Sequence, residues 1–259
     1  DRQKERGEAI AKEIGATFAE TDVTSEDSVK AAVDMAVTAM GKLNAAINCA
    51  GIGTSEKTLH KAGAHSLDHY RRVVDINQVG TFNVARLAAA AMAQNVPSED
   101  GQRGVIVNTA SVAAFDGQKG QVAYASSKAA IAGMSLPMAR DLAREGIRVM
   151  AIAPGIFLTP MLMGLPEEVQ KQLATDVTCP QRLGDPKEYA ALVKFIIECG
   201  YLNGETIRID GALHLIDLLV VLVRPHVGGE RGGQGIEGHP LEPLREGRLT
   251  EDGEEVLER

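Results

Sequence analysis

Four short runs of apolar, largely β-branched residues, at 43–48, 104–109, 147–153 and 206–210, alternate with helical patterns along this chain. A fifth, weaker run lies at 17–20. The helical patterns cover residues 2–14, 26–40, 66–94, the stretch opening at Tyr124, and 187–198. Ser25 is the N-cap expected for the second, with Asp27 and Ser28 close behind. Pro137 is expected to interrupt and kink the helix after Tyr124. Residues 159–185 carry mixed signals. Strands alternating with helices predict an α/β doubly wound parallel sheet, with ligands beyond the carboxyl ends of the strands. Residues suited to chemistry follow four of the runs: Asp22, Asn48 to Gly51, Ser111, and Pro154 with Gly155.

The densest such stretch is NTASVAAFDGQKGQVAYASSK, residues 108–128. A strand ends in a Ser/Ala turn at Ser111, a glycine-punctuated loop follows, and Tyr124-Ala-Ser-Ser-Lys128 opens an alanine-rich helix. Tyr124 and Lys128 are four residues apart, so they share a helix face. A cation beside a phenol favours the phenolate, and the spacing therefore predicts a tyrosine pKa lowered from about 10. Such a tyrosine can exchange a proton with an alcohol or carbonyl oxygen, and Ser111 can donate a second hydrogen bond to it. Tyr-x-x-x-Lys by itself is a common spacing. The serine thirteen residues upstream at a strand end makes it specific.

Composition narrows the class. A net charge of −8 argues against nucleic acid or an acidic membrane as the main partner. Aromatic residues make up 3% and tryptophan is absent, so the core must be built from Ala, Val, Ile and Leu. Cys49, Cys179 and Cys199 have no metal-ligand spacing and cannot all pair, which indicates a reducing compartment. No apolar run reaches the length of a membrane span. His65 and His69 have the i, i+4 spacing of metal ligands, but no third ligand stands out, so they read as a solvated helix start and no metal is expected.

With these motifs in hand the chain resembles the short-chain dehydrogenase/reductase family over roughly residues 1–213. Within it, NTASVAAFDGQ, GMSLPMARDLA, GIRVMAIAPG and RLGDPKEYA are closest to the family's type 2 3-hydroxyacyl-CoA dehydrogenase branch, whose members also act on 17β-hydroxysteroids. The resemblance implies a Rossmann-like fold, NAD as cofactor, and interconversion of a secondary alcohol and a ketone. A 3-hydroxyacyl-CoA is the implied substrate, with a hydroxysteroid or 3-oxoacyl-carrier-protein as alternative. It further implies Ser111, Tyr124, Lys128 and Asn77 as catalytic, Asn77 through a relay water. Ser111, Gln121 and Tyr124 face the substrate. The cofactor residues are Asp1, Asp22, Val23, Cys49, Ala50, Gly51, Tyr124, Lys128, Pro154, Gly155, Ile156 and Thr159. A homo-oligomer, a tetramer in the family's pattern, also follows, in the cytoplasm of a bacterium or the mitochondrion of a eukaryote.

Two departures from the family stand out. The first strand and the Thr-Gly-x-x-x-Gly-x-Gly turn are not in the sequence, so Asp1 aligns with the end of the family's second strand. There an acid bonds the adenosine ribose and repels a 2′-phosphate. Without the glycine turn the pyrophosphate lacks its N–H cradle, so the chain reads as a fragment with weakened dinucleotide binding, or as an inactive remnant acting through oligomer contacts. Beyond residue 213 the resemblance stops. Residues 215–223 (LIDLLVVLV) precede a Gly-, Glu- and Arg-rich tail whose composition predicts disorder. Gly229, Gly233 and Gly235 carry the spacing of the missing turn, as a circular permutation would, but Pro225, Pro240 and Pro243 argue against a strand–turn–helix there.

Overall fold

The central strands are strongly apolar, and their burial explains the arrangement of the elements around them. The computed structural model describes residues 1–163 and 166–213. Four parallel strands form one sheet in the order β1-β4-β5-β6: Ala45–Asn48 (β1), Gly104–Thr109 (β4), Ile147–Pro154 (β5) and Thr206–Ile209 (β6). A two-stranded hairpin, Leu59–His60 (β2) with Gly63–Ala64 (β3), stands apart from it. In register, Ala45 faces Val105, Val107 faces Met150, and Ile152 faces Ile207.

β4 and β5 are covered on both faces and so read as unbroken apolar runs rather than alternating ones. Ile106, Ile147 and Val149 point to one side, where they meet Leu43, Ala88, Met92 and Met138. Those partners come from the loop before β1, from Gly80–Met92 (α4) and from Val122–Asp141 (α5). Glu26–Met40 (α2) packs against α4 in the same layer. On the opposite side Val105, Val107, Met150 and Ile152 meet Val193 and Ile196 of Pro186–Glu198 (α8). Helices therefore lie on both faces, as the alternation requires. Gly104 is needed at this contact, because a Cβ there would come within 2.5 Å of Met92 Sδ.

Helix boundaries follow local chemistry. Ser25 accepts a hydrogen bond from the Ser28 N–H at 3.3 Å and starts α2 where expected. α8 opens with a capping box: Asp185 accepts from the Lys187 N–H, Glu188 accepts from the Asp185 N–H, and Pro186 sits in the first turn. Residues 4–14 form the exposed Lys4–Ile14 (α1).

Three expectations change. Residues 17–20 are not a strand: among the described residues no neighbour pairs with them, and the nearest backbone link is Thr21 N–H to the Asp1 carbonyl at 3.1 Å. A β-prone run without a ladder partner cannot become a strand. The single helix expected over 66–94 consists of Leu67–Val74 (α3), a π-helical turn Asp75–Val79, and α4. α5 continues through Pro137 to Asp141 instead of being interrupted, its packing against β5 outweighing one lost hydrogen bond. The mixed stretch contains the short helices Pro160–Met163 (α6) and Glu167–Thr175 (α7). The domain boundary expected after residue 213, the tail and Gly229, Gly233 and Gly235 lie outside the described residues.

One buried cation closes the far face. Arg148 on β5 is 6% exposed, and its guanidinium donates to the carbonyls of Ile196, Ile197 and Leu202 and to Gln102 Oε1, at 2.6–3.0 Å. It thereby satisfies carbonyls at and beyond the end of α8 that a helix leaves without partners. Arg148→Met would strand these acceptors, each costing about 1–3 kcal/mol when buried. We expect a loss of at least about 2 kcal/mol in urea denaturation; a loss below about 0.5 kcal/mol would show that water replaces the arginine freely.

Candidate active site

The carboxyl ends of β1, β4 and β5 converge on the first two turns of α5. Beyond Thr109 the chain turns through Ser111, which is buried and caps the 3-10 turn Val112–Ala114, its Oγ accepting from the Ala113 N–H at 3.2 Å. Tyr124 and Lys128 lie one turn apart on α5, as their spacing required. Lys128 is 5% exposed; its Nζ donates to the Thr109 carbonyl at 2.7 Å and stands 5.8 Å from the Tyr124 ring centre. The Ser111 hydroxyl lies near the Tyr124 phenol and favours its ionised form. The structure thus brings Ser111, Tyr124 and Lys128 together.

The electrostatics differ from the sequence expectation. Burial pushes the Tyr124 phenol above its ordinary value, and the nearby Ser111 hydroxyl only partly opposes this. Burial also pushes Lys128 down, to about 8. The expected lowering of Tyr124 by its lysine is therefore not what the site shows. The ammonium faces the Thr109 carbonyl and the tyrosine ring rather than the phenolic oxygen, and desolvation outweighs it. Tyr124 is held as a protonated donor.

Asn77 sits in the π-helical turn, fully buried. Its Oδ1 accepts from the Ile52 N–H at 2.8 Å, and its Nδ2 donates to the Ile52 carbonyl and to Ser127 Oγ, both at 3.0 Å. It couples the turn after β1 to the residue preceding Lys128. Asn48 is likewise buried, donating to Asn108 Oδ1 at 2.8 Å across the β1–β4 pair. Gly51 keeps the turn close: a Cβ there would lie 3.2 Å from Asn77 Oδ1 and 3.6 Å from Lys128 Nζ. Cys49, Ala50 and Gly51 pass in front of the lysine.

Pro154, Gly155, Ile156 and Thr159 form the other wall. Gly155 donates to the Ile209 carbonyl at 3.0 Å, and a Cβ would be 2.9 Å from the Asp210 Cα, so only glycine lets the loop leave β5 this close to β6. A largely apolar cleft of about 970 Å³, part of it open to solvent, lies between this loop, Cys49, Thr109 and Tyr124. Phe157, Leu162, Pro186 and Tyr189 complete its lining. Sequence reading missed Tyr189. Its hydroxyl meets Thr109 Oγ1 at 2.6 Å, yet within α8 it has the pattern of an ordinary core residue.

The remaining candidates lie at the margins. Asp22 accepts from the Thr24 N–H and hydroxyl, which hold its carboxyl below the usual range, and Arg2 stands 3.6 Å away. Val23 packs on Gly80, and its carbonyl accepts from Asn83. Asp1 is exposed and accepts from the Gln3 N–H at 2.9 Å. Gln121 directs its amide at Gln118, on the loop entering α5, rather than into the cleft. His65 and His69, read as a solvated helix start, instead have Glu56 as a near neighbour, all three within 4.8 Å.

No helix among the described residues is long and apolar enough to cross a membrane. The family model described as short chain dehydrogenase matches residues 1–170. The 3-hydroxyacyl-CoA dehydrogenase type-2 of Bos taurus is 55% identical over 213 residues, 81% of this chain and 82% of that one. The crystal structure of 3-hydroxyacyl-CoA dehydrogenase type-2 from Mycobacterium avium superposes with a TM-score of 0.80 at 41% identity, covering 83% of this chain and 85% of that one. A 7α-hydroxysteroid dehydrogenase complexed with NADH and 7-oxo glycochenodeoxycholic acid gives 0.74 at 28% identity, covering 84% of each chain. With its parallel sheet, its Ser111–Tyr124–Lys128 cluster and these likenesses, the chain belongs to the short-chain dehydrogenase family of oxidoreductases.

Proposed function

We propose that this protein interconverts a secondary alcohol and a ketone with NAD(H), acting on a 3-hydroxyacyl-CoA and its 3-oxoacyl partner. The observation that carries the reading is the placing of Tyr124 on the wall of a largely apolar cleft, with Ser111 near its phenol and Lys128 behind its ring. NAD(H), when bound, supplies or accepts the hydride. The residues present fit it: glycines at 51 and 155 keep the backbone low on either side of the cleft, and Lys128 spends one of an ammonium's three donors on Thr109. Asp22, Val23, Cys49, Ala50 and Gly51 would line its adenosine side, with Asp1 beyond them. Tyr124, Lys128, Pro154, Gly155, Ile156 and Thr159 would hold its reactive end.

In the reducing direction Ser111 and Tyr124 donate hydrogen bonds to the ketone oxygen, and Tyr124 passes its proton to the oxygen as charge develops there. Lys128, poised near 8, stabilises the phenolate that remains and can restore its proton. Asn77 acts as a positioning residue through Ile52 and Ser127, and Gln121, bonded to Gln118, would face the substrate only after turning towards the cleft. The apolar lining, with Phe157 and Tyr189, suits an acyl chain better than a sugar or an amino acid. Such a substrate would place the enzyme in fatty-acid metabolism. The exposed Phe82 on α4 and Leu136 on α5 support self-association, a tetramer in the family's pattern.

Two measurements test the reading. Tyr124→Phe should lower turnover of a 3-hydroxyacyl-CoA by at least about a hundredfold while NADH binding stays intact, since general-acid transfer supplies 10²–10⁴-fold. Retention of more than about a hundredth of the rate contradicts the role. Asp1 predicts a preference for NADH over NADPH in kcat/KM, because a carboxylate repels a 2′-phosphate; the opposite preference would remove Asp1 from the site.

A further inference from the structure

Glu56 is the centre of a second cluster, outside the cleft. Its Oε1 accepts from the Ser66 N–H at 2.7 Å, which fixes the carboxylate at the start of α3. Three imidazoles surround it. His60 Nε2 is 3.5 Å from Oε1, His65 Nδ1 is 3.7 Å from Oε2, and His69 Nδ1 is in contact with Oε2. The rings of His65 and His69 stack, with centres 5.7 Å apart. The side chains of His65 and Glu56 are 10% and 18% exposed, so this is no solvated helix start.

We propose that Glu56, His65 and His69 bind one zinc ion. The donor set points to a first-row transition-metal ion, of which zinc is the one proposed. Two imidazole nitrogens and a carboxylate oxygen suit Zn²⁺, whereas Mg²⁺ and Ca²⁺ require oxygen ligands throughout. Ligands about 2.0–2.1 Å from a tetrahedral zinc stand roughly 3.3–3.4 Å apart. The Glu56 gap to His65 is close to that, and the Glu56, His65 and His69 donor atoms already fall within 4.8 Å of one another. Binding would draw these atoms together while opening the direct His69–Glu56 contact to admit the ion. Ligation through His65 Nδ1 requires that nitrogen to exchange its 2.8 Å contact with the Ser66 carbonyl for the metal.

The ion would tie together two pieces of chain already linked by the Ser66–Glu56 and His65–Thr58 hydrogen bonds. Glu56 belongs to the loop before the β2–β3 hairpin, and His69 to the first turn of α3. The Glu56 N–H also donates to the Gly120 carbonyl at 2.8 Å, just before α5 and Tyr124. Zinc bound here would stiffen the loop that leans on the entrance to the catalytic helix. His65 and His69 showed the spacing in the sequence; Glu56, nine and thirteen residues earlier, had no pattern to mark it as their partner.

The test is a Zn²⁺ titration of the chelator-stripped full chain in competition with a chromophoric chelator. We expect one equivalent to bind at this cluster, and His69→Gln and Glu56→Gln each to weaken binding by at least about tenfold, with unchanged circular dichroism. Co²⁺ in place of zinc should show the visible bands of a nitrogen- and oxygen-ligated ion without thiolate charge-transfer absorption. Amide hydrogen exchange across residues 55–66 should slow with zinc in the wild-type chain, a readout that needs no variant to fold. Equal affinity in both variants, thiolate bands from the cysteines, or unchanged exchange would each overturn the assignment.

Discussion

The buried amide of Asn77 is the link on which the geometry of the site depends. It satisfies both backbone groups of Ile52 and the hydroxyl of Ser127, so one side chain holds the turn after β1 against the second turn of α5. A buried amide left with missing partners would cost about 1–3 kcal/mol per group, which makes this arrangement cooperative. Lys128 follows Ser127 directly, and Gly51 precedes Ile52 directly. The distance between the lysine and the turn in front of it is therefore set by Asn77, and the π-helical turn is what aims Asn77 inward from an otherwise regular helix.

Desolvation then governs the chemistry. The same packing that buries β4 and β5 also encloses Tyr124 and Lys128, and it acts on them in opposite senses. The phenol is pushed up and stays protonated, while the ammonium is pushed down to about 8. A donor that holds its proton at neutral pH suits a developing alkoxide, and a lysine near neutrality can recharge it. Burial therefore keeps the phenol protonated and brings only the lysine towards neutrality.

The far face shows the same economy of buried polar groups. Arg148 rises from the central strand to close the end of α8, whose start is closed by Asp185 and Glu188. α8 also carries Tyr189, so its placement determines one wall of the cleft. The cleft is thus bounded by elements fastened at both ends by polar contacts and packed between by Val193 and Ile196.

Much of this was legible in the chain itself. Continuous apolar runs located β4 and β5, because strands buried on both faces must be apolar throughout. Ser25 marked a helix start through a local hydrogen bond that needs no distant partner. Tyr124, Lys128 and Ser111 were found from spacing, since a helix fixes which residues share a face. What the sequence could not decide depended on groups far apart along it. Residues 17–20 had strand propensity but no ladder partner, and the π-helical turn arose inside a pattern that looked uniformly helical. The sign of the Tyr124 shift required knowing how much water surrounds it. Tyr189 on Thr109 and Glu56 among the histidines are meetings across 80 and up to 13 residues. Propensity and periodicity are properties of neighbours along the chain; desolvation and convergence are properties of the packed molecule, and only the tertiary structure sets them.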